Sequence, residues 1–69
     1  MNMIPVSSSN LTAVGYDEST KTMYVRFKGG VTYAYYDVPA IIYNQLMNAS
    51  SHGGYLAAYV KGYYNYRKL

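Results

Sequence analysis

The sequence has no cysteine and no tryptophan, one phenylalanine, one histidine and three acidic residues. Without cysteine there can be no disulfide framework, and a single histidine without thiols argues against a structural zinc site. The acids Asp17, Glu18 and Asp37 fall in expected turns or at a helix cap, which leaves little for acid–base chemistry. Long apolar runs are also missing: none approaches the roughly 18 residues that mark a membrane helix. The start, Met1-Asn2-Met3-Ile4-Pro5, has neither the basic end nor the apolar stretch of a signal peptide. A cytoplasmic protein of a bacterial cell is expected, without membrane association. In that setting the sequons Asn10-Leu11-Thr12 and Asn48-Ala49-Ser50 carry no meaning.

Tyrosine is abundant instead, with 11 residues among 69. A buried tyrosine must still place its hydroxyl, so the residue suits half-wet surfaces better than dry ones. A chain this short makes one domain with a modest core. Lacking covalent staples, it is expected to gain stability by self-association, as a homo-oligomer. The net charge of +3 favours anionic partners. The cations Lys21, Arg26, Lys28, Lys61, Arg67 and Lys68 form two small groups, not the long stripe that tracks a nucleic-acid backbone.

Residues 1–8 read as a loose leader, and 11–16 as a first strand ending in the polar turn 17–20. Residues 22–28 alternate, with Met23, Val25 and Phe27 against Tyr24, Arg26 and Lys28. Gly29-Gly30 reads as a two-residue hairpin loop, since both positions tolerate positive φ. Residues 31–36 return. Asp37 is placed as the N-cap of a helix over 38–48, with Pro39 in its first turn and Ile42, Leu46 and Ala49 inward. Ser50-Ser51 would cap a second helix running from near Gly53-Gly54 to near Gly62. The tail 64–69 reads either as frayed helix or as an edge strand. The expected fold is α+β, a three-stranded antiparallel sheet followed by two helices, with Val14, Val25, Phe27, Ile42 and Leu46 in the core.

A two-residue loop pairs Lys28 with Val31, Arg26 with Tyr33, Val25 with Ala34 and Tyr24 with Tyr35. Opposed residues share a face. Met23, Val25, Phe27, Ala34 and Tyr36 would then face the core, and Tyr24, Arg26, Lys28, Tyr33 and Tyr35 the outside. Rings beside cations on a sheet can stack bases and pair phosphates. The plainer reading is a tyrosine-rich packing surface, and a one-residue slip would exchange the faces.

Val6-Ser7-Ser8-Ser9-Asn10-Leu11, Val14-Gly15-Tyr16-Asp17, Phe27 followed by Gly30, and the central Tyr33-Ala34-Tyr35 occur in order. Val38-Pro39, Tyr43, Ala49-Ser50, Gly53 and Tyr64-Asn65-Tyr66-Arg67 follow. In these features residues 6–66 resemble the KTSC family, a short domain found alone in bacteria and phages and at the C-terminus of some lysyl-tRNA synthetases. The resemblance implies a small α+β domain with an RNA-binding role and names no catalytic residue.

Enzymatic readings are weak. Ser51 beside His52 lacks an orienting acid, and neighbours in sequence rarely face each other productively. Ser51, Gly53 and Gly54 at a helix start could hold a phosphate on free backbone N–H groups, or simply cap the helix. Ser7-Ser8-Ser9-Asn10 offers hydroxyl donors or a solvated strand entry. Lys61, Tyr64, Tyr66, Arg67 and Lys68 interleave rings and cations, as a second anion wall or a solvated helix end. The expectation is a non-catalytic binder of a small nucleotide-type anion, such as a phage-type sponge that sequesters a signalling nucleotide. A single-stranded RNA-binding module and a structural or protein-interaction module are the alternatives. The binding residues expected are Tyr24, Arg26, Lys28, Tyr33, Tyr35, Ser51, Gly53, Gly54, Tyr66 and Arg67, with no metal and no cofactor.

Overall fold

Alternation in the middle of the chain builds the centre of a sheet, and short segments at both ends extend it. The computed structural model describes residues 2–69. Its strands are β1 (Ile4–Pro5), β2 (Leu11–Asp17), β3 (Thr22–Phe27), β4 (Thr32–Tyr35) and β5 (Tyr66–Lys68). Helices α1 (Ala40–Met47) and α2 (His52–Tyr59) lie between β4 and β5 in the chain. The sheet order is β1-β2-β3-β4-β5, antiparallel throughout. The α+β class with two helices and an antiparallel sheet stands, but the sheet has five strands where three were expected. Part of the expected leader pairs with β2 through Ile4↔Val14. The tail makes β5 through Tyr35↔Tyr66. Two or three residues are too few to show a period, so neither edge could be read from alternation.

The hairpin register differs from expectation by one residue. Met23 pairs with Tyr35, Tyr24 with Ala34, Val25 with Tyr33 and Arg26 with Thr32. The Phe27 N–H donates to the Val31 carbonyl at 2.8 Å, so the loop has three residues, Lys28-Gly29-Gly30. Both glycines take positive φ, 98° and 91°. Burial explains the choice. The expected register would point Ala34 inward; the observed one lays Tyr33 and Tyr35 on the face of Met23, Val25 and Phe27. Tyr33 and Tyr35 therefore belong to the helix side of the sheet. Tyr24, Arg26 and Thr32 share the opposite face.

The core follows from that face. Leu11, Val14, Met23, Val25 and Tyr35 from the sheet meet Val38, Leu46, Leu56 and Val60. Val14, Val25 and Leu46 are buried as expected, while Phe27 and Ile42 pack at the margin. Two hydroxyls tie elements together: Tyr16 of β2 donates to the Val38 carbonyl ahead of α1, and Tyr55 donates to Gln45 at 2.6 Å between the helices. The rings of Tyr16 and Tyr43 stack at 5.1 Å.

Asp37 does not cap α1. It takes φ 56° and turns the chain out of β4, while Pro39 occupies the cap position with no side-chain hydrogen bond. Ser51 does cap α2, its hydroxyl accepting from the Gly54 N–H at 3.0 Å. That helix starts at His52 and ends at Tyr59, short of Gly62.

Candidate functional site

The register that places Tyr33 and Tyr35 on the helix side also brings Tyr66 beside them, because Tyr66 pairs with Tyr35. The Tyr33 ring meets Tyr66 edge-on at 5.6 Å and Phe27 edge-on at 5.4 Å. Tyr35 and Tyr66 lie 5.7 Å apart. After α2 the chain turns back, and Lys61 holds its ammonium 5.4 Å from the centre of the Phe27 ring. That distance is within cation–π range. Tyr33, Tyr35, Lys61, Gly62 and Tyr66 enclose a recess of about 280 Å³.

The chemistry of this recess is mixed. Burial, followed by the neighbouring phenols of Tyr33 and Tyr66, pushes the Tyr35 hydroxyl above its ordinary range. Tyrosine rings form its walls, and Lys61 stands at its side with a positive charge. Lys68 stands opposite Tyr33 on the same sheet face. Such a set accepts a planar ring by stacking and an anion by charge.

The ten residues expected to bind are divided among four places. Tyr33, Tyr35 and Tyr66 line the recess. Tyr24, Arg26 and Arg67 share the outer sheet face, where Tyr24 and Arg67 flank Ala34. Lys28 sits in the hairpin loop. Tyr35 is only 4% exposed, so it serves as a floor and not as a free stacking ring; Tyr66 is 62% exposed. Lys61 belonged to the expected second anion wall, but its approach to Phe27 follows from tertiary packing alone. Gly62 was read only as the end of the second helix.

Ser51, Gly53 and Gly54 lie elsewhere. The segments 7–9 and 50–52, far apart in sequence, together line a polar cleft of about 310 Å³. Gly53 allows their approach, since a Cβ there would lie 2.3 Å from the Asn10 side-chain oxygen. Ser8 donates to that oxygen at 3.2 Å and accepts from the Leu11 N–H at 3.3 Å. The Ser51 hydroxyl is engaged in capping. The His52 Nδ1 is buried without a hydrogen-bond partner and has no carboxylate orienting it in the cleft. Among the described residues no group of three His, Cys, Asp or Glu side chains is placed to hold a metal ion. No helix among them is long and apolar enough to cross a membrane.

The serine-rich start and the Ser50–Gly53 turn thus meet at one cleft, while the central Tyr33-Ala34-Tyr35 belongs to the sheet beside the other recess. The KTSC domain model matches residues 7–64. The chain belongs to the KTSC domain family. A protein of Tsukamurella paurometabola is 42% identical over 59 residues, covering 86% of this chain and 88% of that one. A lysine–tRNA ligase of Nostoc sp. is 31% identical over 67 residues, 97% of this chain but 12% of the ligase. The crystal structure of a KTSC domain protein from Yersinia pestis superposes with a TM-score of 0.93 at 33% identity. That match covers 99% of this chain and 96% of the other.

Proposed function

We propose that this KTSC domain is a non-catalytic binder of a small nucleotide-type ligand, held in the recess of Tyr33, Tyr35, Lys61, Gly62 and Tyr66. The observation that carries this reading is the convergence of rings and an ammonium around one recess of about 280 Å³. Ligand sites combine an apolar lining with a few placed polar groups, and this volume is just below their usual range. It suits a base-sized ring better than a polymer. The exposed ring of Tyr66 is the wall a base would stack on, and Lys61 or Lys68 would meet its phosphate. Sequestration of a signalling nucleotide is the role that such a site can fill without catalytic groups.

Calorimetric titration with nucleoside mono- and diphosphates, beside the matching nucleosides, tests the proposal. Tyr66→Ala and Lys61→Ala should each weaken binding about tenfold, the value of one stacking or charge contact. The nucleosides should bind more weakly than the nucleotides. No binding at roughly 1 mM, or binding untouched by Tyr66→Ala, would remove the reading. Mass spectrometry of material released by heating the cell-purified protein would identify the ligand directly.

A second reading rests on a different observation. Tyr24, Arg26 and Arg67 share the outer sheet face, on the side away from the core, and several similar proteins are lysine–tRNA ligases. On this reading the sheet carries single-stranded RNA. Affinity would then rise with oligonucleotide length and fall steeply with salt, and Arg26→Ala would weaken it while Tyr66→Ala would not.

A further inference from the structure

The two edges of the sheet differ in what their backbones offer. β1 is two residues long, and its Pro5 has no N–H to donate. β5 has no proline, and all three of its residues are exposed. Its hydrogen-bonding phase is set by two contacts. The Tyr36 N–H donates to the Asn65 carbonyl at 2.9 Å, and the Leu69 N–H donates to the Thr32 carbonyl at 2.8 Å. Antiparallel pairing alternates inward- and outward-bonding residues. Asn65, Arg67 and Leu69 therefore bond towards β4. The N–H and C=O of Tyr66 and Lys68 point away from the sheet, with no strand of the described residues beyond them.

Unpaired edge groups are a template for another strand. The side chains decide which strand fits. Arg67 and Lys68 point to opposite faces, since successive strand residues alternate. A sixth strand would meet one cation on each face. A second copy of β5 paired about Arg67 would set two guanidinium groups directly opposite, and like charges so placed are unfavourable. A peptide carrying carboxylates removes that conflict. A recess of about 530 Å³ lined by residues from Gly62 to Tyr66 runs up to this edge and offers room for a side chain of the added strand.

We infer that the free edge of β5 is a docking surface for an acidic peptide, which joins the sheet as a sixth strand through the outward backbone groups of Tyr66 and Lys68. The inference needs no nucleotide in the neighbouring recess.

The backbone phase makes the test specific. The probe is a fluorescein-labelled peptide of about ten residues alternating glutamate and valine, long enough to span the edge. Its fluorescence anisotropy should rise on titration with the wild-type protein, more at low salt than at high. Lys68→Pro removes an outward N–H that the fold does not use, and edge strands tolerate proline there. This variant should keep its melting temperature and bind at least about tenfold more weakly. Should Lys68→Pro fail to fold, N-methylated peptides give the same answer with the wild-type chain. Methylating one alternate set of peptide amides should abolish binding, and methylating the other set should spare it. Three results would overturn the inference: equal binding by Lys68→Pro, equal binding of a lysine–valine peptide, or no phase dependence on methylation.

Discussion

Two tyrosines opposite each other across a strand pair show how far one residue type can diverge in role. Tyr35 and Tyr66 are register partners with rings 5.7 Å apart, yet they are 4% and 62% exposed. Truncating a buried aromatic residue removes its transfer free energy and leaves a cavity, so Tyr35→Ala should cost about 3–5 kcal/mol. That is a large share of the stability of a small domain. Tyr66→Ala deletes a ring that is mostly in water and should cost less than about 1 kcal/mol. Urea melts of the two variants check this. Equal destabilisation would mean that the ring cluster is a single structural unit, and the loss of binding expected for Tyr66→Ala would then be uninformative. The same pair explains the abundance of tyrosine. Placed at the core margin, a phenol gives a hydrophobic body to the sheet and leaves its hydroxyl towards the wet recess.

At the scale of elements, the hairpin decided more than any other feature. Alternation in β3 was plain in the sequence, and so were the glycines of its turn. What alternation could not supply was loop length, because a two- and a three-residue loop both satisfy Gly29-Gly30. The energy that decides lies across the sheet, in whether α1 and α2 cover Tyr33 and Tyr35 or Ala34. The outer strands were illegible for another reason: Ile4–Pro5 and Tyr66–Lys68 are strands only because β2 and β4 offer them partners. The start of α2 was close to legible, since a serine cap has a local mechanism. The recess was not, because Lys61 reaches it only after α2 has packed. A shortened loop tests this account. Removing Lys28 leaves Gly29-Gly30 as a two-residue turn, both already at positive φ, and keeps Phe27 opposite Val31. The variant should therefore retain the register and fold, with a melting temperature within about 5 °C of the parent. Exposure of Tyr33 and Tyr35 in that variant, seen as loss of near-ultraviolet circular dichroism, would show that Lys28 itself sets the register.

For the molecule as a whole, the same phenols set a limit in alkali. Burial raises the hydroxyl pKa of Tyr35, with the charges of Tyr33 and Tyr66 adding to it. Burial also raises that of Tyr16, assisted by Glu18 and Asp17, and that of Tyr55, assisted by Tyr59 and Tyr64. The three sit in different parts of the fold: Tyr35 in the core sheet, Tyr16 against Val38 and Tyr43, and Tyr55 bridging the helices. Each folded-state pKa lies above its unfolded value, so the native chain holds these protons more tightly than the unfolded chain does. Stability from this source is complete below the unfolded tyrosine pKa of about 10 and falls as pH rises through and beyond it. Tyr16 and Tyr55 also donate hydrogen bonds that their phenolates could not make. Thermal melts followed by circular dichroism should accordingly give a steady midpoint up to about pH 9 and a steep decline above about pH 10. Tyr55→Phe should soften the decline, since it keeps the ring and removes one titrating proton. A midpoint that holds or rises to about pH 11 would mean that the hydroxyls titrate as freely in the folded chain as in the unfolded one. The half-dry placement of these tyrosines would then be wrong.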